Sequence, residues 1–422
     1  MDRSPKRKQD GTDTYALLEM ARTLAAACDL DKLLQMVVDY SMSLLDAERA
    51  TLFLYDGERE ELFSRIAEGT DEVRISVNTG LAGAAALSLQ IVNVPDAYQD
   101  ERFNREIDKQ TGYRTRNILA CPLVDYNGQL VGVLQILNKR DGSFSEKDIE
   151  LAEALSAQAG VALQRASLLE HYLEKQRLEH TLEIAKEIQQ KLFPQRDPAL
   201  PGYDIAVWNR PCDATGGDCC DFLRLGDERL VLTLGDVTGH GVGPALVSCA
   251  ARAMLRAMSS VRGEINFVMQ HVNNLLSADL SDNRFVTVFL GILDAQSGQL
   301  NYCSAGQGPL VRFEARRDKT EVLSANAIPM GIVPGFEYEP AESIIMEPGD
   351  LFVLLTDGFY EWAHSDGQLF GVDRVLEVIK EHKDCSSREI LEAIIAAVET
   401  FADTKQADDL TAIILKRESP PA

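Results

Sequence analysis

Paired cysteines of the C-x-x-C kind are missing from this chain. Its eight cysteines, Cys28, Cys121, Cys212, Cys219, Cys220, Cys249, Cys303 and Cys385, fall at no spacing that would assemble a zinc site. Scattered thiols of this sort read as reduced. No apolar run approaches the roughly 20 residues of a membrane-spanning helix. The polar start, residues 1–13 with Arg3, Lys6, Arg7 and Lys8, lacks the apolar centre of a secretory leader and reads as disordered. These absences together predict a cytoplasmic protein without a membrane partner. Basic charge is scarce as well: 42 Lys and Arg stand against 66 Asp and Glu, a net charge of -24 that repels phosphate backbones and argues against nucleic acid as a partner. Internal repeats and biased segments are absent, and 45% hydrophobic with 26% charged residues excludes disorder of the whole. A length of 422 residues exceeds what one core serves, so two or three domains are expected.

Helical spacing runs through Thr14–Leu45 as two helices, with Leu17, Leu18, Ala21 and Leu24 followed by Leu33, Leu34, Val37, Val38 and Leu45. Two hairpins follow, Ala50–Tyr55 with Glu61–Ile66 around Asp56-Gly57, and Ile118–Val124 with Leu130–Leu137 around Asn127-Gly128. A helix over Ser145–Leu163, capped by Ser145, closes a first domain at 14–165. From Gln164 to Leu192 there is neither Gly nor Pro, and Leu168, Leu178, Leu182, Ala185, Ile188 and Leu192 form a stripe. This predicts a linker helix over 166–194, ended by Phe193-Pro194. Lys175 and Gln189 interrupt its heptad, and a parallel coiled-coil homodimer is expected through it. The domain at 195–418 reads as strands over Tyr203–Trp208, Asp218–Leu225, Leu230–Gly235, Phe285–Leu293, Gln299–Ser304, Leu310–Phe313, Leu351–Thr356 and Thr411–Leu415. Helices are expected over Gly243–Ala257, Ile265–Leu280, Gly371–His382 and Arg388–Phe401. The fold class is α+β.

Four segments of this second half set an aspartate beside glycine or at a strand end: Gly216-Gly217-Asp218, Gly235-Asp236-Val237-Thr238-Gly239-His240-Gly241, Thr356-Asp357-Gly358 and Asp408-Asp409-Leu410-Thr411. A single Asp-Gly is most often a turn. Turn aspartates, however, have no reason to follow apolar runs such as Leu230–Leu234 and Leu351–Leu355. Carboxylates at the ends of buried strands are costly to keep ionised unless a cation neutralises them. Converging oxygens of this kind suit Mg2+ or Mn2+ and not zinc.

The order GGD, GDVTGHG, TDG, DDLT resembles the SpoIIE-like branch of the metal-dependent (PPM, type 2C) protein phosphatases. The likeness extends over about residues 185–417, with Glu187–Pro194 as a matching preamble and Phe285–Gly291, Ala305-Gly306 and Gly349-Asp350 as further pieces. It implies a sandwich of two antiparallel sheets with helices outside and two Mn2+ or Mg2+ ions at one end. By motif, Asp236 would bridge the metals and the Val237 carbonyl would bind one. Asp357 and Asp408 would complete the shell of the second metal, with Asp409 as the alternative to Asp408, and Asp218 would hold metal-bound water or a metal. Asp236 and Asp218 would thus be catalytic, joined by His240 as a donor to the leaving oxygen or as a packing residue of the turn. Two departures stand out: Cys219-Cys220 where aromatic residues are usual after GGD, and Gln307 where a His is usual.

The first domain resembles a GAF domain, an antiparallel sheet with helices that senses small molecules. Asn93–Asn104 and Asp108–Leu119 look like the GAF domains of cyclic-nucleotide phosphodiesterases, and Asn138, Lys139, Phe144 and Asp148 follow their spaced signature, with Ile149 where Glu is expected. The resemblance implies a ligand pocket beneath Thr79–Ala86 and Asp96–Phe103. Asp96, Phe103, Thr115, Asn138, Lys139 and Asp148 are its candidate contacts; Asn138, Lys139 and Asp148 have a purely structural reading as well, with Lys139 paired to Asp148. The expected whole is a signal-regulated phosphoserine/phosphothreonine phosphatase with a phosphorylated regulatory protein, such as an anti-sigma-factor antagonist, as substrate and a small ligand, in the first case a cyclic nucleotide, at the GAF domain. The alternative is a catalytically silent ligand-sensing scaffold. A cyclic-nucleotide phosphodiesterase is excluded because its His/Asp metal motif is absent.

Overall fold

The computed structural model describes residues 18–24, 26, 27, 29–64, 73–280 and 284–419. The predicted disordered start, Thr14–Leu17 of the first expected helix, and Arg65 and Ile66 of the first hairpin lie outside them. The chain divides into two compact units, Met1–Leu178 and Glu179–Ala422.

In the first unit α1 (Leu30–Leu45) opens with Asp29, whose carboxylate accepts the Lys32 N–H at 2.9 Å. The strands are β1 (Ala47–Asp56), β2 (Glu61–Ser64), β3 (Val73–Ser76), β4 (Val92–Val94), β5 (Ile118–Val124) and β6 (Leu130–Lys139), with the short helices α2 (Gly80–Ser88) and α3 (Arg105–Thr111) between them. They form one antiparallel sheet in the order β3-β2-β1-β6-β5-β4, which includes both expected hairpins. Side-chain alternation sorts the two faces. Leu119, Cys121 and Leu123 of β5 pack under α1 and the long helix, while Ala120 faces α2. The Asn127-Gly128 turn is held by Asp125, which accepts the N–H groups of Asn127 and Gln129 at 2.8 Å.

One 47-residue helix, α4 (Glu146–Leu192), replaces the two helices expected on either side of Gln164. Ser145 and Asp148 cap it reciprocally: the Ser145 N–H donates to Asp148 at 2.8 Å and the Asp148 N–H to the Ser145 hydroxyl at 3.4 Å. Only Gly160 marks its interior as unusual. A Cβ there would lie 2.2 Å from the Val124 carbonyl oxygen, so glycine is what lets the helix approach the sheet.

The second unit stacks two five-stranded antiparallel sheets. One holds β8 (Cys219–Leu225), β9 (Arg229–Val237), β10 (Val286–Asp294), β11 (Gln299–Ala305) and β14 (Ile344–Ile345), in the order β14-β11-β10-β9-β8. The other holds β7 (Tyr203–Arg210), β12 (Leu310–Glu314), β13 (Lys319–Leu323), β15 (Leu351–Leu355) and β16 (Leu410–Arg417), in the order β13-β12-β15-β16-β7. Leu230, Leu232 and Leu234 of β9 meet Phe352, Leu354, Ile413 and Leu415 between the sheets. The opposite residues face outward. Val231 and Val288 pack under α5 (Val242–Val261) and α6 (Ile265–Asp279), and Val353 and Ile414 under α8 (Gly371–Glu381) and α9 (Ser387–Phe401). The α+β reading and the β-sandwich with outer helices are what the structure has. A short helix, α7 (Asp357–Glu361), was not legible as one.

Gly160→Ala adds helix propensity of about 1 kcal/mol but drives a methyl group into the β5 backbone. Chemical denaturation should show a net loss of about 1–3 kcal/mol for the first unit; unchanged or increased stability would contradict the close approach.

Candidate functional site

Antiparallel pairing brings the four aspartate segments to one end of the sandwich. Asp218 immediately precedes β8, and Asp236 lies at the end of β9, which pairs Cys219 with Gly235. Asp357 follows β15, and Asp408-Asp409 precede β16, which pairs Leu355 with Ala412. Two side chains of the second sheet cross to the first: the hydroxyls of Thr356, at 2.9 Å, and Thr411 both donate to Asp218 Oδ2. The Thr411 N–H donates in turn to Thr356 Oγ1 at 2.9 Å. Asp218 is therefore buried with one oxygen doubly bonded, while its Oδ1 has no hydrogen-bond partner.

The loop before Asp218 wraps the other buried carboxylate. Asp409 accepts the Cys212 N–H at 2.7 Å and the Asp218 N–H at 3.4 Å. A Cβ on Gly216 would stand 2.2 Å from Asp409 Oδ2, and one on Gly217 would stand 2.7 Å from the Val237 carbonyl oxygen and 3.5 Å from Asp236 Oδ1. The two glycines thus let this loop pass between Asp409 and the Asp236-Val237 strand end. The buried Gln189, on the last turns of α4, holds the loop from outside: its Nε2 donates to the Gly216 carbonyl at 2.6 Å and its Oε1 accepts the Gly216 N–H at 3.0 Å.

Crowding shows in the acidities. Burial, then Asp236 and Asp409, hold Asp218 well above the usual carboxylate range. Burial, followed by Asp357, Asp408 and Asp409, pushes Asp236 to about 7. Asp357 is raised by burial and by Glu361, and Asp408 by burial and by Asp357 and Asp409. No lysine or arginine is among the causes of these shifts, and the exposed His240, which acts on Asp408, is the one basic group among them. Among the described residues no three His, Cys, Asp or Glu side chains gather at the spacing of a single metal shell. Unpaired Asp218 Oδ1, the Val237 carbonyl beside Asp236 and an oxygen-only donor set fit a hard divalent cation that keeps part of its water, as Mg2+ does.

Other sequence-predicted residues fall as follows. His240 is exposed on a turn between Gly239 (φ 88) and Gly241 (φ 89), and its Nδ1 lies 2.7 Å from Asp213 Oδ2. It is close enough for its charge to lower Asp408 slightly against the other influences on that group. Cys219 and Cys220 are buried strand residues. Burial pushes the Cys219 thiol to about 12 and raises Cys220 as well, which disarms them as nucleophiles. Gln307 is buried, accepts the Thr287 hydroxyl at 2.7 Å and donates to the Leu355 carbonyl at 3.2 Å, with Thr287 paired opposite Asp236. Arg210 is engaged: it meets Glu399 at 2.5 Å and lies 5.3 Å and 5.5 Å from the Trp208 and Trp362 rings. Sequence reasoning missed Gln189, Thr356, Thr411 and Asp213 as partners of the site. The first stood in the quoted preamble, and the threonines inside the quoted TDG and DDLT motifs.

In the first unit the six candidate ligand contacts serve the protein itself. The buried Asn138 (φ 58) donates from Nδ2 to Glu48 at 2.9 Å, Tyr113 at 2.8 Å and the Arg114 carbonyl at 2.9 Å, and accepts the Arg116 N–H at 2.6 Å. Hydrogen bonds from Asn138, Arg116 and Tyr113 hold Glu48 at about 2. Lys139 meets Asp148 at 2.8 Å, the pairing of the structural reading. Although burial raises it, Asp148 is held below its usual range by Lys139 and Ser145. Thr115 donates its hydroxyl and its N–H to Asp108, both at 2.7 Å, and Asp96 accepts the Tyr98 N–H at 3.1 Å. Phe103 packs with Leu81, Val94, Ala97 and Ile118, in the region where the pocket was expected. A groove of about 400 Å3 lies elsewhere, lined by Ile91, Pro122, Val124, Ile149, Glu153 and Ser156.

Asp408 and Asp409 differ in kind. Replacing buried Asp409 by Ala strips two backbone N–H groups of their acceptor and should cost about 1–3 kcal/mol in denaturation of the second unit. Asp408→Ala, at a half-buried and charge-crowded position, strips one N–H, that of Asp409, and relieves repulsion at the same time, so it should cost clearly less; equal losses for the two would refute the distinction.

Comparison with known proteins assigns both halves. Residues 226–418 match the family described as Stage II sporulation protein E (SpoIIE), and residues 29–163 match the GAF domain. Asp218 and its glycines precede the first of these stretches. The SiaA-PP2C domain of Pseudomonas aeruginosa superposes with a TM-score of 0.52 at 23% identity, over 58% of this chain and 99% of that one, a likeness of fold. A probable 3',5'-cyclic phosphodiesterase, pde-5, of Caenorhabditis elegans is 33% identical over 187 residues, 41% of this chain and 25% of its own length. The dual 3',5'-cyclic-AMP and -GMP phosphodiesterase 11 of Drosophila melanogaster is 36% identical over 192 residues, 41% of this chain and 13% of its own length. The chain thus spans a quarter or less of these curated relatives. Two ordered cores, one acidic sandwich end and two family matches agree on the layout: a stretch that matches the GAF domain is followed by one that matches the SpoIIE family.

Proposed function

We propose that the chain is a metal-dependent phosphoserine/phosphothreonine protein phosphatase controlled by a small ligand of its GAF domain. The observation that carries the reading is the set of aspartates at one sandwich end, raised by burial and by neighbouring carboxylates, with no lysine or arginine among the causes. Asp236 is the residue we assign to both of two Mn2+ or Mg2+ ions, with the Val237 carbonyl, Asp357, Asp408 and Asp218 as further holders and Asp409 as a structural neighbour. When bound, such ions supply an activated water and neutralise phosphoryl oxygens. The protein contributes orientation: Thr356 and Thr411 fix one oxygen of Asp218 so that the other stays available, and His240 stands exposed to give a proton to the departing serine or threonine oxygen.

Regulation fits Gln189. Its two bonds to Gly216 tie the loop that carries Asp218 to the end of α4, so any ligand that favours one state of that helix end biases the loop by its differential affinity. The cyclic-nucleotide chemistry named in the phosphodiesterase relatives supports cAMP or cGMP as the first ligands to examine. A phosphorylated regulatory protein, such as an anti-sigma-factor antagonist, is the substrate class in view, and the reducing cytoplasm the setting. The exposed apolar side chains Leu168, Tyr172, Leu178, Ile184 and Ile188 of α4 support pairing of two chains along this helix. The scaffold alternative draws on one observation, that no three ligating side chains close on a point among the described residues.

Manganese-dependent release of phosphate from a phosphoserine protein, abolished in Asp236→Asn, is the expected result, and absence of turnover at any divalent concentration would leave the scaffold. The same substitution removes one of several crowded charges, so the metal-free Asp236→Asn protein should melt a few degrees higher than wild type, while Mn2+ should raise the melting point of wild type alone. Gln189→Ala should lower turnover by about tenfold or more and demand more Mn2+ for half-maximal rate. An unchanged metal dependence would remove Gln189 from the machinery.

A further inference from the structure

A basic cleft of about 310 Å3 lies in the second unit where the end of α4 meets β8 and α5, lined by Lys191, Arg196, Arg252, Arg256 and Asp221 together with apolar side chains. Four cations against one carboxylate is an outlying composition in a chain of net charge -24. Asp221 does not neutralise them. Its Oδ1 is shared by Arg256 at 2.6 Å and Arg252 at 3.3 Å, and its Oδ2 has no partner. Arg252 is only 16% exposed, and its Nε is buried without an acceptor. Neither Lys191 nor Arg196 has a carboxylate partner among the described residues. The nearest further acid in sequence, Asp197, is taken by Arg388 at 2.5 Å. Arg252 and Arg256 stand one helical turn apart on α5, so their guanidinium groups address the same space, and the rings of Phe193, Pro194, Pro198 and Phe222 make the rest of the wall.

We propose that this cleft binds a small phosphate-bearing anion with a flat or apolar body, at a site separate from the aspartate centre. Several cations around one point suit the spread oxygens of a phosphate, which guanidinium forks grip in pairs. The ring-lined wall accounts for the non-phosphate part. The cleft shares Leu192, Phe193 and Arg252 with the small cavity that also touches Gln189 and Asp218, so an occupant would brace the same helix end that clasps the GGD loop.

The test is calorimetric titration of the full chain with phenyl phosphate and with inorganic phosphate, in EDTA and at low ionic strength. Without divalent cations the aspartate centre repels anions, so heat reports the basic cleft. Binding of both is expected, tighter for phenyl phosphate, and weakened by about tenfold for each cation removed in Lys191→Ala and Arg196→Ala. Both positions are exposed, and circular dichroism melts of the variants should match wild type. No binding to the wild-type chain, or binding that the paired substitution leaves unchanged, would overturn the proposal; so would equal affinity for benzoate, which would show a site for any anion. Turnover plays no part in the readout, so loss of the phosphatase reading would leave this result standing.

Discussion

Mutual repulsion among buried carboxylates is the constraint around which the second unit is arranged. Asp218, Asp236, Asp357 and Asp408 stand at strand ends of two different sheets, and besides burial a neighbouring carboxylate makes each of them harder to ionise. A folded chain tolerates such a cluster only if its scaffold is over-determined elsewhere. The interleaved leucine and aromatic side chains between the sheets supply that, and so do the threonines that lash the strand ends together. The same arrangement explains why hydroxyls, not basic groups, surround Asp218. A lysine or arginine at those positions would satisfy the charge and remove the reason to take up a cation.

Much of this was legible in the residues. The apolar runs Leu230–Leu234 and Leu351–Leu355 announced buried strands, each leading into an aspartate, while the sandwich that gathers those carboxylates at one end was implied only by the family resemblance of the four motifs. The limits of legibility are physical. The expected helix over Ser145–Leu163 already ran through Gly160, but the reason a glycine stands there, the Val124 carbonyl, lies on a distant strand. Likewise, Asp408 and Asp409 are chemically identical in the sequence. Their difference comes from the Cys212 and Asp218 N–H groups, almost 200 positions away, which fold onto one of them.

The first unit teaches the reverse lesson. Asn138, Lys139 and Asp148 carry a signature shared with ligand-binding domains, yet each spends its hydrogen-bonding capacity within the protein. Asn138 alone ties Glu48, Tyr113, Arg114 and Arg116 together from a left-handed backbone position that asparagine tolerates better than most residues. A motif can thus persist because it closes a fold, and its presence by itself locates no ligand.

The two bonds between Gln189 and Gly216 carry a consequence for where the catalytic domain begins. A fragment cut at the Phe193-Pro194 helix stop would retain every aspartate of the centre while stripping the buried amide and carbonyl of Gly216 of their partner Gln189. By the chemistry of its backbone, the minimal autonomous domain reaches back into the last turns of the preceding helix, and the boundary drawn by helix-breaking residues is not the boundary drawn by hydrogen bonding.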